Sequence, residues 1–78
     1  MKLPRGVSGK QLVRMLERLG YLVVRQKGSH VRLHHAGPSQ HTVTVPLHDP
    51  VKTGTLHGIL SDVAGNTGIP LERLVELL

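Results

Sequence analysis

The sequence predicts an α+β fold in which helices pack on one face of a three-stranded antiparallel sheet. Three observations lead to this prediction: an apolar stripe at helical spacing over residues 12–19, three short strand-like segments between residues 21 and 47, and two more helical stripes after residue 53. The element order is α-β-β-β-α, followed by a short C-terminal helix. With 78 residues, the chain is expected to form one domain spanning residues 1–78.

The first helix is expected to begin after Ser8, a residue type that caps helices. Gln11 follows three residues later, so the pair fits a capping box in which each side chain bonds the backbone of the other. Gly20 is expected to end the helix because glycine adopts the left-handed conformation readily. The apolar face consists of Leu12, Met15, Leu16 and Leu19.

Three strands are predicted at residues 21–26, 30–35 and 41–47. The first is rich in β-branched residues, and the other two alternate apolar with polar side chains. Residues 27–29 are expected to form a turn and residues 36–40 a hairpin loop. Pro46 has no N–H to donate, so we expect it at an edge or at the end of a strand.

Two further helices are predicted in the second half of the chain. The longer one is expected to follow the turn at Asp49-Pro50 and to be capped by Thr53 or Thr55. Gly65-Asn66 is expected to close it, and a short helix follows Pro70. The apolar stripes are Leu56, Ile59, Leu60, Val63 and Ala64 in the first, and Leu71, Leu74, Val75 and Leu78 in the second. This order of elements is the layout of a double-stranded-RNA-binding domain.

The basic residues are concentrated in the first part of the chain. Residues 1–32 hold eight basic residues against Glu17 alone, a formal +7, whereas residues 33–78 hold two basic and four acidic residues, a formal −2. This asymmetry indicates a surface for a polyanion such as nucleic acid, with an ordinary solvated surface as the alternative. Tyr21 is the only aromatic residue, which argues against base-stacking modules and favours phosphate and 2′-hydroxyl contacts.

Composition also excludes several classes of protein. The chain has no cysteine, which rules out a disulfide framework and a thiolate zinc site. Its apolar runs are far shorter than the ~20 residues of a membrane span, and no signal-peptide pattern is present. We therefore expect a soluble cytoplasmic protein that does not bind membranes.

The alternation of the strands predicts how they pair. A five-residue hairpin loop would set His35 opposite His41, and the same register sets His30 opposite Pro46. Apolar residues then meet apolar residues on the face under the helices. The other face of the sheet is left open and polar.

A group of polar side chains is expected to converge on that open face. His30 and Arg32 share it, and His48 is a diagonal neighbour of His30. Lys27 and Ser29 flank the patch. RNA cleavage needs a base for the 2′-hydroxyl, an acid for the leaving 5′-oxygen and a cation for the developing charge. Histidine serves in either proton-transfer role near neutral pH.

We therefore assign proton transfer to His30, and a helper or substrate-contact role to His48, Ser29 and Arg32, with no metal and no cofactor. Two alternatives are that these are ordinary surface histidines, or that a zinc site is assembled across strands. Against zinc, His30 and His34 would be about 13 Å apart on a straight strand. The basic residues expected to bind RNA are Lys10, Arg14, Arg25, Lys27 and Lys52. The alternatives are a solvated helix face for Lys10 and Arg14, the more common role of such residues, and ordinary helix capping in the segment that begins at Lys52.

Several segments, in order, resemble the HicA (YcfA-like) toxin family. They are Ser8-Gly9-Lys10, Leu16 with Gly20-Tyr21, Arg25-Gln26-Lys27-Gly28-Ser29-His30, Val43-Thr44-Val45-Pro46-Leu47-His48, and Gly54-Thr55-Leu56 with Ile59-Leu60. The resemblance implies an mRNA-cutting toxin of a type II toxin–antitoxin pair, similar in fold to double-stranded-RNA-binding domains and neutralised by a HicB-type antitoxin. It also implies that His30, in the Gly-Ser-His motif, is catalytic, while His48 matches the other recurrent histidine of the family. We expect a monomer when the chain is alone and a hetero-oligomer with the antitoxin.

Two other functions stay open at this stage. One is a module that binds structured RNA without cutting it, for which Lys52 at the start of the second helix is thin support. The other is an interaction protein whose basic face binds an acidic partner. Replacing His30 distinguishes them from the nuclease, because a pure binder would lose little affinity.

Overall fold

The structure, a computed structural model, describes residues 3–37 and 40–78. Its elements are α1 (Gly9–Arg18), β1 (Tyr21–Lys27), β2 (His30–His35), β3 (His41–Pro46), α2 (Thr53–Thr67) and α3 (Leu71–Glu76). The strands form an antiparallel sheet in the order β1-β2-β3. The predicted fold class and element order are confirmed. Lys2, one of the eight basic residues counted in residues 1–32, lies outside the described residues, as do Pro38 and Ser39 of the predicted hairpin loop.

The start of α1 is held by the predicted capping box. The backbone N–H of Gln11 donates to Ser8 Oγ at 3.2 Å, and the backbone N–H of Ser8 donates to Gln11 Oε1 at 2.8 Å. These bonds satisfy N–H groups that have no partner inside the helix. Gly20 follows the helix with a φ of +96°, as expected of a glycine at this position.

The core lies between the helices and one face of the sheet. Val31 and Leu33 of β2 pair with Val45 and Val43 of β3, and each of the four is at most 5% exposed. Leucines of α1 and α2 pack on this face, and burying one aliphatic side chain stabilises the fold by about 1.5–3 kcal/mol. The predicted register is confirmed over the whole of β2, including His30 opposite Pro46.

The ends of α2 differ from the prediction. Lys52, not a threonine, is the N-cap residue, and it makes no side-chain capping hydrogen bond. The helix also continues past Gly65-Asn66 to Thr67 and ends at Gly68, whose φ is +76°. Gly65 is exposed, and an exposed glycine inside a helix costs only about 1 kcal/mol, so it does not stop the helix. In the described part of the chain, no helix is long and apolar enough to cross a bilayer.

Tyr21, His35 and His41 form an aromatic cluster at the end of β2 away from His30. The Tyr21 hydroxyl and His41 Nε2 share a hydrogen bond of 2.5 Å. The backbone N–H of Gly37 donates to His35 Nδ1, so His35 Nε2 carries the proton and donates to the carbonyl oxygen of Leu19. Burial raises the pKa of Tyr21 to about 12, and the nearby charge of Asp62 acts in the same direction.

Candidate active site

His30 is the first residue of β2 and directly follows the tight turn that links it to β1. Lys27 pairs with His30, so the turn consists of Gly28 and Ser29 alone. Gly28 has a φ of +57°, a conformation that glycine adopts without strain. The backbone N–H of Leu47 donates to the carbonyl oxygen of Ser29 at 2.6 Å. The turn that precedes His30 is therefore held by the β1–β2 hairpin and by the residue that follows β3.

A β-bulge at Val24 decides which face the basic residues of β1 occupy. Val23 pairs with Leu33, but Arg25 pairs with Arg32, so Val24 is an extra residue with no partner in β2. In an unbroken strand, Arg25 would share the helix side with Val23. Because the bulge shifts the alternation by one residue, Arg25 lies instead on the open face, beside Arg32.

The open face around His30 forms a cleft that we call the basic cleft. Its volume is about 610 Å³. The lining residues are Arg25, Lys27, Gly28, Ser29, His30, Arg32 and Thr44. Three of these residues are Lys or Arg and none is acidic, so the cleft has a positive potential that attracts phosphate groups.

His30 also lines a second recess, which we call the histidine recess. It has a volume of about 380 Å³ and lies where the end of β3, the following loop and the start of α2 meet. Its lining residues are His30, Thr44, Pro46, His48, Lys52 and Thr55. His30 and Thr44 belong to both spaces, so the basic cleft and the histidine recess meet at His30. The structure thus brings His30 and His48 together, as the strand alternation predicted.

The loop that carries His48 is fixed by the start of α1. The backbone N–H of Gly9 donates to the carbonyl oxygen of His48 at 2.9 Å, and the N–H of Val51 donates to the carbonyl oxygen of Val7 at 2.8 Å. A Cβ atom at position 9 would overlap the carbonyl oxygen of Pro46. Only glycine allows this approach, so the sequence at the start of α1 sets the backbone beside the recess.

Lys52 reaches the same recess from the start of α2. Its carbonyl oxygen accepts the N–H of Leu56 at 2.8 Å, which fixes its backbone, while its side chain is exposed. No Asp or Glu lines the recess. Lys52 therefore adds a positive charge on the side of His30 opposite the basic cleft.

Two of the basic residues that the sequence associated with RNA lie elsewhere. Lys10 and Arg14 line a separate groove between α1 and β1, which we call the α1–β1 groove, with a volume of about 420 Å³. Its apolar lining consists of Val13, Val23, Val31 and Leu47. The α1–β1 groove shares no lining residue with the basic cleft or the histidine recess. The structure does not bring Lys10 or Arg14 together with His30.

Sequence reasoning missed two polar side chains that line the site. Thr44 pairs with Arg32, and the predicted register already put it on the open face, so it could have been included. Thr55 was interpreted only as a helix cap, and its place in the recess follows from how α2 packs. Within residues 3–37 and 40–78, no group of three or more His, Asp or Glu side chains could hold a metal ion.

Comparison with known families adds a match over most of the chain. The family model for the HicA toxin of bacterial toxin–antitoxin systems matches residues 9–64. The matched range runs from the start of α1 into α2, so it contains every lining residue of the basic cleft and of the histidine recess. No curated protein and no solved structure matches the chain.

Proposed function

The chain belongs to the HicA toxin family of bacterial toxin–antitoxin systems. On that premise we propose that it is a metal-independent endoribonuclease that cuts mRNA and uses His30 as a catalytic residue. One observation carries this proposal: His30 lies where the basic cleft and the histidine recess meet. An RNA strand that runs from one space into the other crosses His30. It then has Lys27 on one side of the scissile bond and Lys52 on the other.

The chemistry is a proton-transfer reaction at one phosphate. A base takes the proton of the 2′-hydroxyl, the 2′-oxygen bonds to phosphorus, and the bond to the 5′-oxygen breaks as an acid protonates that oxygen. The products end in a 2′,3′-cyclic phosphate and a 5′-hydroxyl. His30 carries one of the two proton transfers, and His48, in the same recess, carries the other or contacts the substrate. Arg32 stabilises the charge that develops on the phosphate oxygens.

Substrate binding relies on charge rather than on stacking. The basic cleft presents Arg25 and Lys27 to the phosphates on one side of His30, and Ser29 adds a hydroxyl group next to the reacting phosphate. Lys52 binds the phosphate chain on the other side. RNA contacts by Lys10 and Arg14 stay a prediction that requires the strand to extend to the α1–β1 groove.

Membership of a toxin–antitoxin family implies a protein partner. We propose that this partner is a HicB-type antitoxin, which neutralises the chain by forming a hetero-oligomer with it. The chain alone is a monomer in this proposal. It acts in the cytoplasm, where bacterial mRNA is translated.

The decisive experiment compares two histidine variants of the same strand. Wild type, His30→Ala and His34→Ala chains are expressed by induction, and growth and fragmentation of total RNA are measured. His34 lies on the same face of β2 but lines neither the basic cleft nor the histidine recess, so it controls for loss of a histidine. We expect His30→Ala alone to abolish toxicity and cleavage while its circular dichroism stays that of wild type. If the His30→Ala chain were as toxic as the wild-type and His34→Ala chains, His30 would not be catalytic.

A second assay tests the absence of a metal. Cleavage of a synthetic mRNA by the purified chain is measured in excess EDTA and again after Mg²⁺ is restored. We expect the same rate in both conditions, because the proposed proton transfers and the charge stabilisation all come from side chains. A cleavage rate that falls sharply in EDTA and returns when Mg²⁺ is restored would contradict the proposed mechanism.

A further inference from the structure

The large apolar side chains that the described part of the chain leaves exposed are clustered on one edge strand. They are Leu22, Val23 and Val24 of β1, with exposed fractions of 69%, 45% and 57%. Successive side chains of a strand point to opposite faces, so Leu22 and Val23 do not form one patch. Val23 lies on the helix side, next to the α1–β1 groove, where burial against a partner would be favourable. Nothing in the proposed cleavage mechanism uses them.

Val23 connects this strand to the α1–β1 groove. Val13 of α1, Val31 of β2 and Leu47 after β3 complete an apolar floor, so three parts of the fold meet there. The groove is therefore a concave apolar surface that opens at a free sheet edge. It lies apart from both spaces that His30 lines.

The rim of the α1–β1 groove is basic. Lys10 and Arg14 are exposed one turn apart on α1, and neither forms an ion pair within residues 3–37 and 40–78. Glu17 is the acidic residue of the lining. Two positive charges against one negative charge favour an occupant that carries carboxylates.

The floor favours a polypeptide over a nucleic acid. Bases bind by stacking on aromatic side chains, whereas this floor consists of aliphatic side chains. Apolar side chains of a protein segment would be desolvated against it, and acidic residues of the same segment would reach the rim. The combination of apolar floor and basic rim therefore matches an acidic segment with an apolar face.

We propose that the α1–β1 groove is the docking site for an acidic, amphipathic segment of the antitoxin. The proposal rests on the toxin function proposed above, since that function is what supplies the partner. The segment packs apolar side chains on Val13 and Val23 and places carboxylates near Lys10 and Arg14. It anchors the antitoxin beside the active site without occupying the basic cleft or the histidine recess.

Two neighbouring residues provide a matched pair of variants. Val23 faces the α1–β1 groove, whereas Leu22 pairs with His34 on the open face and does not line the groove. The dissociation constant of purified cognate antitoxin is measured by calorimetry for wild type, Val23→Asp and Leu22→Asp. We expect Val23→Asp to weaken binding about tenfold or more, because a carboxylate would be buried against the apolar floor beside an acidic segment. Leu22→Asp is expected to stay within about twofold of wild type, and equal losses would overturn the proposal.

A gain of affinity removes the objection that a variant has simply misfolded. Glu17→Gln deletes the acidic charge of the rim, so an acidic partner should bind two- to fivefold more tightly, on the order expected for one rim charge. The same chains are titrated with a fluorescent single-stranded RNA whose 2′-hydroxyl groups are replaced by hydrogen. If Glu17→Gln tightens RNA binding and leaves antitoxin binding unchanged, the groove is an RNA surface and the proposal fails.

Cleavage of mRNA by each free chain, assayed without antitoxin, tests the enzyme proposal separately. If the wild-type chain cleaves RNA but neither Val23→Asp nor Glu17→Gln changes its affinity for the antitoxin, only the docking proposal fails. If the chain binds the antitoxin through the groove but cleaves no RNA, only the enzyme proposal fails. If wild type binds no antitoxin, the docking proposal fails whatever the result for cleavage.

Discussion

The backbone N–H of Gly9 donates a hydrogen bond of 2.9 Å to the carbonyl oxygen of His48. This bond ties the first residue of α1 to the loop that carries a histidine of the proposed active site. It requires the helix to start in contact with the end of β3, where a Cβ at position 9 would overlap the carbonyl oxygen of Pro46. The packing of α1 and the position of His48 are therefore coupled.

We expect Gly9→Ala to lower the free energy of unfolding by about 1–3 kcal/mol, because backbone atoms have to move to admit the new methyl group. Gly58→Ala in α2 is the matched control. Apart from its chain neighbours and the backbone of α2 itself, no described heavy atom lies within 4 Å of a Cβ at position 58, so alanine there should stabilise the helix by about 0.5–1 kcal/mol. Urea unfolding measures both changes. A Gly9→Ala chain as stable as wild type would show that the close approach is not a constraint.

His48→Gln tests the second histidine of the histidine recess. If His48 transfers a proton, kcat should fall by roughly 10²-fold or more and the pH–rate profile should lose one of its two arms. If His48 only contacts the substrate, KM should rise while the shape of the profile is kept. Cleavage rates over a range of pH and substrate concentration separate the two roles, and a variant with unchanged kcat, KM and profile would remove His48 from the site.

The basic cleft should make RNA binding depend on salt. In a His30→Ala background, which prevents cleavage, Lys27→Ala is expected to reduce the slope of log K against log salt concentration by about 0.7 on single-stranded RNA. Arg73→Ala on α3 is the control, since Arg73 is exposed, lies outside the basic cleft and, among the described residues, forms an ion pair with Glu76 at 3.7 Å. Fluorescence titrations at several salt concentrations give the slopes. Equal slopes for both variants would exclude Lys27 from the RNA contact.

Tyr21 predicts how stability changes at alkaline pH. Burial raises its pKa from 10.0 to about 12, with a smaller contribution from Asp62, so the folded state favours the neutral phenol. This contribution to stability is complete below pH 10 and is lost as pH rises from 10 towards 12. We expect Tyr21→Phe to be about 1 kcal/mol less stable at pH 8, because it loses the bond to His41. Its stability should then fall less than that of wild type between pH 10 and 12, as urea unfolding at each pH would show.

The β2–β3 half of the sheet could be predicted because its sequence alternates without interruption. Val31 and Leu33, like Val43 and Val45, are separated by polar residues, and only one register pairs them on the same face. That register also determines the position of His30 relative to Pro46, and hence to His48. The central pair of the candidate site thus follows from periodicity.

The β1 half could not be predicted in the same way. Leu22, Val23 and Val24 are three apolar residues in succession, so the sequence gives no alternation from which to assign faces. The bulge at Val24 determines which face of the sheet each side chain occupies, and it also brings Arg25 to the open face. The place of Lys10 and Arg14 in a separate groove likewise depends on how α1 lies across the sheet, which no helical periodicity specifies.

The end of α2 was misjudged for a different reason. Gly65-Asn66 has the composition of a helix end, but the Asn66 amide donates to the carbonyl oxygen of Asp62 and the Thr67 hydroxyl donates to that of Val63. These bonds satisfy the side chains while the backbone stays helical. The helix therefore ends at Gly68, the next glycine, which adopts a positive φ.

The bulge at Val24 has a consequence for the protein before it meets any partner. An edge strand with three adjacent exposed apolar side chains offers a template on which a strand from a second copy could add, and the resulting association would lead to aggregates. An extra residue in the middle of β1 interrupts the regular spacing of the backbone groups along that edge and increases its twist. A straight strand cannot pair past this point. The residue that turns Arg25 towards the open face therefore also makes this edge a poorer template for a strand from a second copy.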